Sequence, residues 1–128
     1  MKTFYTSNYE RNGTNPSAIA ISNPADVPAD YTGARDDSLS PTDELLVAYH
    51  DRKIGHDEYA ASYLALLGER GYTPESVAEK FADGTIFICY DYEDGSASGD
   101  DADNGDLSIC HRVFLSQWLD GVVSISEI

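Results

Sequence analysis

A chain of 128 residues, 41% of them hydrophobic, is the size of one domain with a real core. No run of about 18 apolar residues occurs, so no transmembrane helix is expected, and residues 1–5 lack the apolar stretch of a signal peptide, which points to the cytoplasm of the host cell. Twenty-three Asp and Glu against eight Lys and Arg leave a net charge of −15, a field that repels phosphate backbones and argues against direct DNA or RNA binding.

Residues 2–6 alternate in polarity and carry aromatic side chains, which predicts a first strand. Residues 18–22 (AIAIS) form a second, bounded by Pro16 and Pro24. From 23 to 40, Pro, Asp and Gly recur without periodicity, which predicts a long irregular connection of the kind that is often functional or packed over a core. Ser40-Pro41-Thr42-Asp43 reads as a helix start, with Ser40 as N-cap, Pro41 at the first helical position and acids in the first turn. That helix runs to about Arg52, with Leu45, Leu46, Ala48 and Tyr49 on its apolar side.

A second helix is predicted over 57–70, where Tyr59, Tyr63, Leu66 and Leu67 make one stripe and Gly71 is the natural stop. Thr73-Pro74-Glu75-Ser76 opens a third, ending before Gly84. Residues 85–90 (TIFICY) are an almost wholly apolar strand of the kind buried on both faces. A last helix over about 111–120 and a closing strand over 122–126 complete the chain. Helices between apolar strands favour parallel crossovers. The expected fold is a single α/β Rossmann-like layered domain over 1–128, with a mostly parallel sheet and flanking helices.

The densest chemistry is Cys110-His111-Arg112, where the strand gives way through an acidic loop to the last helix. A cysteine at a helix N-terminus feels unpaired amides and the positive end of the macrodipole, which stabilise a thiolate, as would Arg112 or protonated His111. The same amides can hold phosphate or carboxylate. In an open parallel sheet, ligands bind beyond the strand carboxyl ends, where Asp91, Ser7 and Asn8 also fall. Adjacent helical residues point about 100° apart, so the three cannot all face one pocket. The structural alternative packs Cys110 beneath the sheet and pairs Arg112 with Asp91. Catalysis by Cys110 stays open, because no base-orienting partner for His111 is visible.

The remaining polar residues read more plainly. Two cysteines make no disulfide framework in a cytosolic chain, and Cys89 in an apolar strand reads as core. His50 and His56 fall at helix ends, where capping or exposure is the simpler role. No metal or cofactor is expected: paired CxxC or HxxxH spacing is missing. The loop from Asp100 to Gly105 fails the calcium pattern, with Ala102 at its third position and His111 in place of the terminal Glu.

Tyr5-Thr6-Ser7, the strand at 19–22 with its proline segment and Leu39-Ser40-Pro41 follow a known layout. So do Tyr59 with Tyr63, Ile88-Cys89-Tyr90-Asp91, and Cys110-His111-Arg112 with Trp118-Leu119. Over nearly its whole length the chain resembles the DUF488 family, particularly short versions from bacteria and their phages. The resemblance implies a Rossmann-like α/β domain with a site but no assigned activity. Two departures stand out. Ile21-Ser22-Asn23 lacks the strand-end arginine the family pattern leads one to expect, and an acidic insertion over about 92–109 separates Asp91 from the triplet.

Two functional expectations follow. One is a strand-end pocket that binds, and in its stronger form processes, a small anionic or nucleotide-like ligand through Ser7, Asn8, Asp91, His111 and Arg112. The other is an acidic phage or mobile-element module whose Asp100, Asp101, Asp103 and Asp106 bind and inhibit a host defence protein. The acidity has two blander explanations: a solvated surface, or adaptation to salt.

Overall fold

A computed structural model describes residues 1–89 and 111–128. In chain order the elements are β1 (Thr3–Ser7), α1 (Tyr9–Asn12), β2 (Ala18–Ala20), β3 (Ala34–Arg35), α2 (Asp43–His50), α3 (His56–Glu69), α4 (Pro74–Lys80), β4 (Ile86–Ile88), α5 (His111–Leu119) and β5 (Ser124–Glu127). The five strands form one all-parallel sheet in the order β3-β2-β4-β1-β5, with flanking helices, which is the Rossmann-like α/β layering expected from the sequence. Among the described residues no helix is long and apolar enough to cross a membrane.

Register divides the sheet into two unlike faces. Tyr5 pairs with Ile86, which pairs with Ala18; Ser7 pairs with Ile88, which pairs with Ala20. These rows alternate with those carrying Phe4, Thr6, Ile19 and Phe87, because successive strand residues point to opposite faces. The Phe face meets the helices: Phe4, Ile21, Phe87 and Cys89 pack with Tyr49 of α2, Tyr59, Tyr63 and Leu67 of α3, Val77 of α4, and Phe114, Leu115 and Leu119 of α5. Phe87 is fully buried and meets Phe4 and Phe81 edge-on at 5.4 and 5.0 Å between ring centroids. Burying such a ring contributes about 2–3 kcal/mol. On the other face Ala18, Ala20, Ile86 and Ile88 lie under Tyr5, Tyr9 and Tyr31.

Helix ends follow local chemistry with one correction. Ser40 is not the N-cap of α2; Thr42 is, its side chain accepting from the Leu45 amide at 3.1 Å. Ser40 is buried and its hydroxyl donates to the Ser22 carbonyl at 2.7 Å, so a tertiary partner takes the group that would have capped the helix. α3 ends before Gly71, whose φ of +90° suits glycine. α4 starts with a reciprocal capping box between Thr73 and Ser76. The connection over 23–40, expected to be irregular, contains the two-residue edge strand β3 and 3-10 turns at Pro24–Asp26 and Asp37–Leu39.

Candidate functional site

Because every strand is parallel, all the strand carboxyl ends lie at one side of the sheet. Ser7 ends β1 and Asn8 follows it, Ile21-Ser22-Asn23 follows β2, Asp36 follows β3, Cys89 follows β4 and Ile128 follows β5. Buried polar side chains gather here: Ser7, Asn8, Ser22, Asn23, Ser40 and His111 are all buried, whereas Thr85 is buried at the opposite end. A buried polar group is costly unless hydrogen-bonded, and all of these but Asn8, which caps α1, are seen bonded across chain-distant segments.

Ser7 donates its hydroxyl to the Ile128 carbonyl at 3.0 Å and accepts from the Asn12 amide at 2.7 Å. Asn8 caps α1, accepting from the Arg11 amide at 2.8 Å. Tyr9 and Ser22 share a hydroxyl–hydroxyl bond of 2.7 Å. Asn23 is held three ways: its side-chain oxygen accepts from the Ala25 amide, and its nitrogen donates to the Pro41 carbonyl at 3.0 Å and the Asp43 carboxylate at 2.8 Å. Partners of fixed polarity settle which end of this amide is which. Tyr63 donates to the Leu39 carbonyl at 2.7 Å.

His111, the first residue of α5, is fully buried, with Nε2 2.7 Å from the Ile21 carbonyl oxygen and its ring edge-on to Tyr63 at 5.2 Å. A carbonyl only accepts, so Nε2 carries the proton. The imidazole thus ties the start of the last helix to the end of β2. Of the residues expected at the site, Ser7, Asn8 and His111 are all at this end of the sheet. Arg112 follows His111 in α5. Cys110, Asp91 and the acidic Asp100, Asp101, Asp103 and Asp106 lie outside the described residues. Ser22, Asn23, Ser40 and Tyr9 belong to the same network but were not among the residues expected at the site; for Ser22 and Asn23 the signal was a Ser-Asn pair at the end of an apolar strand.

A second polar cluster lies behind β3. Lys80 Nζ reaches the Tyr72 hydroxyl at 2.6 Å, the Asp36 carboxylate at 3.2 Å and the Ser38 hydroxyl at 3.3 Å. Arg70 donates to the Ser38 and Ser40 carbonyls at 2.6 and 2.8 Å, which links this cluster to the buried floor. The bonds from Lys80 and Ser38 hold the Tyr72 phenol below its ordinary value of 10.0, and the Tyr72 contact holds Lys80 above its ordinary 10.5. Burial pushes the Tyr31 phenol up. Among the described residues no group of three or more His, Cys, Asp or Glu could hold a metal ion.

No protein-family model, no curated protein and no solved structure matches the chain.

Proposed function

We propose that the carboxyl end of the sheet binds a small anionic or nucleotide-like ligand. Ser7, Asn8, Asp91 and Arg112 are the candidate contacts, and Cys110 is the group through which any processing would run. The observation that carries this reading is the concentration of buried, hydrogen-bonded polar side chains at that end of an all-parallel sheet, where ligands bind in folds of this kind. A floor cross-linked by Ser40–Ser22, Asn23–Pro41 and His111–Ile21 bonds is rigid, and rigidity lowers the ordering cost of binding. Within this reading His111 is a positioning residue, since its Nε2 is already committed to Ile21. A DUF488-type assignment accords with the same ground plan and rests on the sequence motifs. The reading places the chain in the cytoplasm of its host.

Thermal melting against a panel of nucleotides and sugar phosphates tests the proposal. At least one compound should raise Tm, and Arg112→Ala should abolish the rise. Unchanged melting across the whole panel overturns it.

The net charge of −15 favours one further reading, an acidic module that binds a host defence protein. Capture of a partner from host lysate should then depend on Asp100, Asp101 and Asp103. Binding retained after all three are changed to Asn removes that reading.

A further inference from the structure

The cluster behind β3 contains more than an ion pair needs. Lys80 donates to the Tyr72 hydroxyl at 2.6 Å, Tyr72 donates to Ser38 Oγ at 2.8 Å, Ser38 donates to Asp36, and Asp36 also accepts from Lys80 at 3.2 Å. This closed ring ties Tyr72 and Lys80 to the chain-distant Ser38 and Asp36, so it is a product of the tertiary fold. Its members are individually braced. The Asp36 amide donates to the Ala20 carbonyl, the Ser38 amide donates to Asp36, and Arg70 holds the Ser38 carbonyl. Lys80 also lies 5.1 Å from the Tyr72 ring centroid and 5.5 Å from that of Phe81. A surface Lys–Asp pair alone contributes little stability, and it would not require a phenol and a seryl hydroxyl aligned beside it.

We infer that Tyr72 is a nucleophilic phenol, a modification site that takes an acyl group from an activated donor such as an ester or an N-acylimidazole. Lys80 donates to the oxygen that becomes phenolate. That contact favours the ionised form, in line with the lowered Tyr72 pKa. In the transfer, the Tyr72 oxygen forms a bond to the acyl carbon and the bond from that carbon to the leaving group breaks. The leaving group departs with the electron pair and is protonated by the proton lost from the phenol. The inference does not depend on the strand-end pocket.

N-Acetylimidazole is the probe, with acetylation of each tyrosine in the full chain followed by peptide mass spectrometry across a pH series. N-Acetyltyrosinamide serves as the unperturbed reference. A larger ionised fraction is only partly offset by weaker nucleophilicity, so Tyr72 should react faster than the reference near neutral pH. Lys80→Met should remove that advantage and move the rate profile to higher pH, while Lys80→Arg retains it. Lys80→Gln, which keeps a donor but removes the charge, should also reduce the rate and decides the matter if Lys80→Met does not fold. Tyr72→Phe should lose the labelled peptide. Reaction at Tyr72 no faster than the reference, or a rate indifferent to both Lys80→Met and Lys80→Gln in folded protein, overturns the inference.

Discussion

Nε2 of His111 lies 2.7 Å from the carbonyl oxygen of Ile21, so the first residue of the last helix is hydrogen-bonded to the end of the second strand inside the core. Loss of the donor strands a buried carbonyl. His111→Phe, which keeps an aromatic ring without the donor, should lower the unfolding free energy by about 1–3 kcal/mol. His111→Ala should cost more, because a cavity adds to the lost bond. Urea denaturation measures both; a His111→Phe protein as stable as wild type would show that the bond to Ile21 does not hold the helix start.

Asn23 faces a carbonyl and a carboxylate at once, at 3.0 Å from Pro41 and 2.8 Å from Asp43. Asn23→Asp replaces a donor with a buried negative charge pointed at both. Burial and the like charge raise the pKa of the new carboxyl in the folded state above its unfolded value of about 3.9. The sign follows from linkage: an acid whose folded pKa is raised destabilises the fold as pH climbs above the unfolded value. The loss should saturate once pH exceeds the raised folded value. Asn23→Asp should therefore melt well below wild type at pH 7 and approach it near pH 4 (~3.9, the unfolded value). A pH-independent difference in Tm would count against this geometry.

The parts of the fold that sequence made legible are those with a local cause. Residues 85–90 read as a buried strand because their apolar run is continuous, and Gly71 and Thr73-Pro74 marked helix ends because their backbone preferences are intrinsic. β3 was missed because Ala34 and Arg35 are two exposed edge residues with no period to detect. The insertion of β4 between β2 and β1 is a property of pairing across the whole chain, invisible to any window. At the site, Ser7 and Asn8 were found because they fall at the end of a strand, whereas Ser22 read as the last residue of a strand, Asn23 as the start of a loop and Ser40 as a helix cap. Tertiary bonds made them buried. Tyr72 and Lys80 meet Asp36 and Ser38 only through folding, so no motif announced them.

The cap of α2 offers a direct contest between local and tertiary chemistry. Ser40→Asp places a strong N-cap former at the position the sequence pattern favours, and it would stabilise the helix if Ser40 capped it. In the fold, Ser40 donates its proton to the Ser22 carbonyl within the core, and an ionised Asp has none to give. Ser40→Asp should destabilise by more than about 1 kcal/mol. Thr42→Ala should cost about 1 kcal/mol through loss of the true cap, and Thr42→Ser should be nearly neutral. Chemical denaturation of the three variants distinguishes the two assignments.

Lys80 and Tyr72 should give stability an alkaline signature. Lys80 has a folded pKa raised above its ordinary 10.5, so its contribution is complete below that value and is lost as pH rises through the folded one. Tyr72 has a folded pKa lowered below its ordinary 10.0, so its contribution is complete above that value and is lost as pH falls through the folded one. The two windows overlap where phenolate and ammonium coexist. The stability deficit of Lys80→Met relative to wild type should be small near neutrality, since the pair with Asp36 is partly exposed. It should widen as Tyr72 ionises and close again at higher pH as Lys80 loses its proton. Tyr72→Phe should abolish the widening while leaving the neutral-pH value intact. Urea denaturation of the three proteins from pH 7 upward reads this directly. A Lys80→Met deficit that stays flat across the series would show that Tyr72 and Lys80 titrate independently.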